Sequence, residues 1–582
     1  MNGRDVTASF TAALVDEWVR AGVTDAVVAP GSRSAPLALA LARNARIRVH
    51  VVIDERSAAF RALGFGLATG RPAVVLCTSG TAAANFHPAV VEAAHARVPL
   101  LVCTADRPPE LRDAGAGQTI DQTHLFGDAV KWFCDPGPPG DEPGVGATWR
   151  ALACRAVAET LGPPCGPVHL NLPFREPLLP TGAQLLDVPG RAGGRPWTAT
   201  ALAARVPSRA DVERLVAIVR THPRGLLVAG WGAQVAPECA RRFAVAAGWP
   251  VLADPLSQLR AGEFAISTYE ALLRVADFAD SHRPELVVRL GAPLTSKVAT
   301  TWLDDSITQV LVDPDNVWLD PHHAVSDRFA VDPALLLDAV ARELGAPSSN
   351  ASEWRREWLG AEQSARAAID GVLDGPAAVC NGQIARDVAG ALPAGATLVI
   401  ASSVPVRALE WCMAPRSGLR VLANRGANGI DGFVSTVIGV AQAGALTPTV
   451  GLCGDLCFLH DVNGLIGASG PATFVVLDND GGGIFSYLPP AELPEFEHLF
   501  ATPHGLDLVE VARAHGAIAE RVDDARKLPE LLANDANGLR VLVVPMDRGA
   551  GERDAFFGQR VLEFVAQLAE VAGRRERGPA GR

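Results

Sequence analysis

What this 582-residue chain lacks narrows its functions before any motif is considered. No stretch approaches the roughly 20 consecutive apolar residues of a membrane span. The first residues, MNGRDVTASF, carry an acid early and no apolar core, so no secretion signal is expected. A basic excess is missing too. The 64 acidic and 52 basic side chains leave a net charge of −12, which argues against general nucleic-acid binding. Ten cysteines show no CxxC pair or metal-finger spacing, and most sit in apolar runs such as VVLCTSG and LLVCTAD, as free cytosolic thiols do. No short-period repeat is present. A cytoplasmic protein without a membrane span is expected.

What is there is a long globular chain, 48% hydrophobic and 20% charged. Its length corresponds to roughly three to four domains. The segments DAVVAPGSRSAPLALALAR, VHVVIDERSAAFRALGFGLA, PAVVLCTSGTAAANFHPAVVEAAHA and PLLVCTADRPPELR each open on a short apolar, mostly β-branched run. Each then turns at Gly, Ser or Asp into an Ala/Leu-rich helical period, the pattern of parallel sheets wound by helices. A Pro/Gly-rich stretch at 188–200 reads as a linker, and polar GAPSSNASEW at 345–354 opens a helical connection. Further strand–turn–helix units follow both. The basic tail GRRERGPAGR is expected to be disordered. The fold class predicted is α/β, with three doubly wound parallel-sheet domains in series.

Ligands of such sheets bind beyond the carboxyl ends of the strands. Two strand ends stand out. The run in TPTVGLCGDLCF stops at Gly454-Asp455, and the run in TFVVLDNDGGGIF stops at Asp478-Asn479-Asp480 before three glycines. Asp455 and Asn479 lie 24 residues apart, a gap that suits one crossover helix and its return. A carboxylate, an amide oxygen and the Gly481 carbonyl are hard ligands of the kind Mg²⁺ accepts beside substrate phosphates. Gly481, Gly482 and Gly483 let backbone approach a bulky anion. Each turn taken singly is also an ordinary Asx turn or helix cap. Arg33, Arg107, Lys297, Arg407 and Arg425 all fall at predicted strand ends of this acidic chain, which suits a polyanionic substrate.

Gly454-Asp455 followed by Asn479 is similar to the diphosphate-binding signature of thiamine-diphosphate enzymes. The segments APGSRSAPLALA, DERSAAFRALG, TSGTAAANFHPAVVEA, ADRPPELRDAGAGQTIDQ and NRGANGIDG resemble that family's menaquinone-pathway branch, nearly end to end and weakest from about 185 to 280. The resemblance implies a pyrimidine-binding domain at 1–187, a central α/β domain at 200–350 and a diphosphate/Mg-binding domain at 370–572. It implies thiamine diphosphate with Mg²⁺ or Mn²⁺, held by Gly454, Asp455, Leu456, Asn479, Gly481, Gly482 and Ile484. By the same resemblance, Glu55 bonds the pyrimidine as the catalytic carboxyl, and Ile430 supports the bent cofactor. Ser32, Gln118 and Ser403 join the five cations as substrate-binding residues, and Ile484, Phe485 and Leu488 form an apolar wall. Asp106 either forms a turn or holds Arg107. The implied reaction decarboxylates 2-oxoglutarate and adds the succinyl carbanion equivalent to isochorismate. The implied assembly is a homodimer or homotetramer with active sites at subunit interfaces.

Two positions depart from the family's pattern: Asp478 where members often carry Asn, and Val298 where some carry a second cation. Two other readings stay open. One keeps the cofactor but takes another 2-oxo acid, as acetolactate synthase or a simple decarboxylase does. The other is a catalytically silent nucleotide-binding protein, which would be expected to show GxGxxG after the first strand, or GxxxxGK followed by Ser or Thr; neither is found.

Overall fold

In the computed structural model, which describes residues 5–375, 379–444, 447–533 and 538–547, the apolar runs become 18 strands in three six-stranded sheets. The first contains β1 (Asp25–Val28), β2 (Arg48–Val51), β3 (Ala73–Cys77), β4 (Leu100–Asp106), β5 (Trp132–Cys134) and β6 (Pro167–Pro173). The second contains β7 (Gly225–Ala229), β8 (Val251–Ala253), β9 (Ala265–Ile266), β10 (Leu286–Leu290), β11 (Thr308–Val312) and β12 (Val325–Phe329). The third contains β13 (Thr397–Ile400), β14 (Arg420–Leu422), β15 (Thr449–Gly454), β16 (Ala472–Asp478), β17 (Ile518–Arg521) and β18 (Leu539–Pro545). Neighbouring strands pair in parallel, and β3, β4, β6, β7 and β10 are buried along their whole length. Helices cover both faces, so these strands are continuously apolar rather than alternating.

The first sheet runs β2-β1-β3-β4-β6-β5 and the third runs β14-β13-β15-β16-β18-β17, the same order. The middle sheet, β12-β11-β10-β7-β8-β9, has the order of a dinucleotide-binding fold instead. In the first and third sheets the chain reverses direction of growth between the first and third strands, so a crevice opens at those strand ends. Register finishes the placement: Gly454 on β15 lies opposite Leu477 on β16, which sets Asp455 beside Asp478 at one edge of that crevice.

The first and third domains are joined through equivalent helices, Glu55–Thr69 after β2 and Phe433–Ala443 after β14. Their backbones approach so closely that a Cβ on Gly439 would lie 2.2 Å from the Arg61 carbonyl oxygen. Ser57 Oγ donates to buried Asp461 at 2.8 Å across the same seam. The 25-residue helix Ser349–Leu373 forms the connection expected after the central domain. The linker at 188–200 is pinned to the first domain: Arg150 donates to the Val188 carbonyl (2.7 Å) and Arg20 to that of Arg191 (2.9 Å). No helix among the described residues is long and apolar enough to cross a membrane. The basic tail and residues 548–572 of the third region lie outside the described residues.

Candidate active site

A cavity of about 350 Å³ opens at the crevice of the third sheet. The segments after four strands line it: Ser402, Ser403 and Arg407 after β13, Arg425, Asn428 and Ile430 after β14, Asp455 and Leu456 after β15, and Asn479 with Gly481 to Phe485 after β16. Ser403 precedes the helix Val404–Cys412 and has a positive φ of 75°, so the chain turns sharply before the helix starts.

Asp455 is 2% exposed and organises one wall. Its Oδ2 accepts the amides of Gly481 (2.8 Å) and Asn479 (3.1 Å), and its Oδ1 accepts that of Leu456 (2.6 Å). Burial raises the carboxyl pKa, against these amides, which lower it. With its amide oxygen facing inward, Asn479 brings that atom 2.6 Å from the Gly481 carbonyl oxygen and 3.0 Å from Asp455 Oδ2. Three acceptors then converge without a hydrogen between them. A reversed amide relieves the crowding by donating to both; a divalent cation relieves it as the oxygens stand. This donor set of carboxylate, amide and carbonyl oxygens fits Mg²⁺. The glycine run fits for a steric reason: Gly481 has φ 143°, and a Cβ there would meet the Ala501 carbonyl oxygen at 2.1 Å.

The opposite wall is cationic. Arg407 donates to the Ser403 carbonyl at 2.7 Å, and no carboxylate pairs with it among the described residues. The Arg425 side chain has no hydrogen bond or ion pair among the described residues. Burial lowers the pKa of both guanidinium groups. Two partly desolvated cations facing one cavity form a site for carboxylates.

The structure gathers Ser403, Arg407, Arg425, Ile430, Gly454, Asp455, Leu456, Asn479, Gly481, Gly482, Ile484 and Phe485 around this cavity. Leu488 does not line it and is 45% exposed; Tyr487 takes the place expected for it. Lys297 is exposed at the start of the helix Lys297–Trp302 and does not reach the cavity lining.

The remaining residues form a second cluster at the crevice of the first sheet. Arg33, after β1, donates to the Phe174 carbonyl (2.9 Å) and pairs with Glu176 (3.2 Å). Arg107, after β4, donates to Ser79 Oγ, and Ser79 also exchanges hydrogen bonds with Gln118. The Arg107 pKa is lowered by burial first and then by the charge of Arg33, so the two cations are neighbours. Asp106 accepts the adjacent Arg107 amide (2.7 Å), as a turn residue does, and its other oxygen accepts Arg112 (2.9 Å) and Asn171 (2.9 Å) rather than the Arg107 guanidinium. Ser32 is exposed beside them. Glu55 is half-buried as the first residue of its helix, with Asp54 as the cap accepting from Ser57 at 3.2 Å. None of these residues lines the third-sheet cavity, so the first-sheet cluster and that cavity are separate places in the chain.

Sequence reasoning missed Ser79, Asn428, Ser402 and His504. His504 accepts the Leu506 amide at Nδ1 (3.0 Å) and directs Nε2 toward Asp455 and Asp478, at 3.5 and 3.8 Å. It lies beyond the glycine run with no motif around it. Ser79, in TSGTAAANF, shares a quoted segment but drew no attention as a hub.

Comparison with known proteins agrees with this layout. The chain matches the family models "Thiamine pyrophosphate enzyme, N-terminal TPP binding domain" over residues 8–125, "Middle domain of thiamine pyrophosphate" over 192–400 and "Thiamine pyrophosphate enzyme, C-terminal TPP binding domain" over 412–544. It is 44% identical to the 2-succinyl-5-enolpyruvyl-6-hydroxy-3-cyclohexene-1-carboxylate synthase of Thermobifida fusca, covering 93% of this chain and 96% of that protein. It is 42% identical to the enzyme of the same name from Chloroflexus aurantiacus, covering 92% and 93%. In fold it resembles the thiamine diphosphate-dependent 4-hydroxybenzoylformate decarboxylase of Rhodococcus jostii RHA1, with a TM-score of 0.71 at 17% identity, covering 93% of this chain and 99% of that one. The chain belongs to the thiamine pyrophosphate enzyme family and, within it, to the 2-succinyl-5-enolpyruvyl-6-hydroxy-3-cyclohexene-1-carboxylate synthases.

Proposed function

We propose that the chain decarboxylates 2-oxoglutarate and joins the remaining succinyl unit to isochorismate. The products are 2-succinyl-5-enolpyruvyl-6-hydroxy-3-cyclohexene-1-carboxylate and CO2, in menaquinone biosynthesis. The names of the relatives support the reaction, and one observation carries the substrate class: Arg407 and Arg425 face the cavity with no carboxylate in hydrogen-bond or close ion-pair contact among the described residues. A monocarboxylate such as pyruvate would leave one of these charges unmatched. 2-Oxoglutarate keeps its distal carboxylate after CO2 leaves, and isochorismate brings two more.

Thiamine diphosphate, when bound, supplies the carbon centre at which a 2-oxo acid loses CO2 and becomes a carbanion equivalent. Asp455, Asn479 and the Gly481 carbonyl would hold Mg²⁺, or Mn²⁺, which would neutralise the diphosphate charge. Gly454, Leu456, Gly482 and Ile484 shape the wall around it, and Ile430 supplies an apolar support. Phe485 keeps water from the reacting face. Glu55 holds a proton toward the pyrimidine ring, as general acid–base work requires. Arg407, Arg425 and Ser403 bind substrate carboxylates and oppose the negative charge that grows on the acceptor. Ser32, Arg33, Arg107 and Gln118 add the first-sheet side of the pocket, and Lys297 the central domain's share. Because the two half-sites lie apart in one chain, a second copy completes each, making at least a homodimer. Incubation with 2-oxoglutarate, isochorismate, Mg²⁺ and thiamine diphosphate tests the assignment by mass spectrometry of the product. Release of CO2 without consumption of isochorismate would leave a simple decarboxylase instead.

A further inference from the structure

The loop that carries Arg425, Asn428 and Ile430 into the cavity is anchored from another domain. Glu92 lies on the first-domain helix His87–His95 and is 4% exposed. One of its oxygens accepts the Gly426 amide at 2.8 Å and the other accepts the Ala427 amide at 2.7 Å. The loop sits so tightly against this helix that a Cβ on Gly426 would lie 2.5 Å from the Ala96 nitrogen and 2.7 Å from the Glu92 carbonyl oxygen. Two consecutive amides side by side call for a carboxylate. A glutamine would turn an N–H toward one of the two donors, and a shorter side chain would not reach both. Glu92 is absent from the cavity lining. Arg425 immediately precedes the anchored amides; its guanidinium feels the Glu92 charge but has no hydrogen bond of its own among the described residues to fix its direction.

We propose that Glu92 is a positioning residue for the acceptor end of the cavity: by gripping Gly426 and Ala427 it sets the direction in which Arg425 presents its guanidinium. The proposal rests on the assignment of Arg425 to a substrate carboxylate. It makes the first domain a contributor to the third-domain half-site within the same chain. A displacement of about 1 Å at such a contact is enough to matter, because positioned binding groups carry much of a catalysed reaction's advantage.

The test is a double-mutant cycle on the full-length holoenzyme, with kcat and KM for isochorismate as readouts. Glu92→Gln alone should lower kcat/KM for isochorismate about tenfold, mainly through KM. The KM for 2-oxoglutarate should stay within about twofold. In an Arg425→Ala background the same change should cost no more than about twofold, since the group it positions is gone. Hydrogen exchange of the peptide spanning residues 424–431 should quicken in Glu92→Gln. A full additive loss in the Arg425→Ala background would overturn the proposal, because Glu92 would then act through general stability. An unchanged KM in Glu92→Gln overturns it as well. If Glu92→Gln does not fold, Glu92→Asp serves the same cycle with the same expectations. If Arg425→Ala alone is harmless, the substrate assignment falls and the proposal with it; if Arg425→Ala is damaging but Glu92→Gln is not, only the anchoring role falls.

Discussion

The first and third sheets have one strand order but carry different side chains at their strand ends. After its first strand the first domain offers Arg33, and the third offers Ser402, Ser403 and Arg407. After the second strand it is Glu55 against Arg425, and after the third, Ser79 against Asp455. After the fourth, Asp106-Arg107 stands against Asp478-Asn479. The difference extends to partnering. Arg33 already has Glu176, and Arg107 has Ser79, whereas Arg425 faces the third-domain cavity with no hydrogen bond or close ion pair among the described residues, its nearest carboxylates acting only at longer range. One scaffold therefore carries cations already held by protein groups in one copy, and cations without close ion pairs beside crowded oxygens in the other.

Substitutions at the strand ends, at the seam and in the sheets sharpen that contrast, beginning with the largest effect. Asp455→Ala should weaken Mg²⁺-dependent cofactor binding by about 100-fold or more, while Ser79→Ala at the equivalent strand end leaves it near wild type. Calorimetric titration of both variants checks this. Arg407→Ala and Arg425→Ala should each slow succinyl transfer by on the order of 100-fold with far less effect on cofactor affinity, read by rapid mixing of the two half-reactions. Gly439→Ala forces a methyl group against the Arg61 carbonyl and should cost about 1–3 kcal/mol, seen as a fall in Tm.

The smallest effect is acid sensitivity, which the contrast places in the first domain. His169 on β6 is fully buried beside Thr104, and burial pushes its pKa down to about 3. The third sheet has no histidine in any of its strands. The folded state keeps His169 neutral while the unfolded chain takes up a proton near pH 6.5. The stability this gives is therefore complete above that value and lost as pH falls through the window down to about 3. At pH 6 the loss should be about 1 kcal/mol relative to pH 7.5. His169→Gln, compared with wild type by thermal melts across this range, should flatten the slope.

Much of this was legible in the sequence, for local reasons. The apolar runs at Val450 and Val475 end in oxygen-bearing turns 24 residues apart, and parallel pairing sets those turns side by side. Arg425 comes three residues after β14 and Arg407 lies in the first turn of the helix after β13, so their placement needed little more than the strand–turn–helix alternation. What escaped depends on contacts between distant segments. His504 reaches Asp455 from beyond the glycine run, and Glu92 reaches Gly426 from more than 300 residues away. Leu488 missed the cavity because the 3₁₀ turn Gly483–Tyr487 delivers Tyr487 instead and leaves its successor outside. Glu55 is a first-turn helix acid behind an Asp54 cap, and that local role does not separate structure from catalysis.

The central claim is that Glu55 and Asp455 belong to half-sites that a second copy unites. Mixing Glu55→Gln subunits with Asp455→Ala subunits, each inactive alone, tests it most directly. Random reassociation into symmetric dimers leaves one intact site in every mixed dimer, so the account predicts recovery of about a quarter of wild-type activity. No recovery in a mixture shown by native mass spectrometry to contain mixed dimers would contradict it.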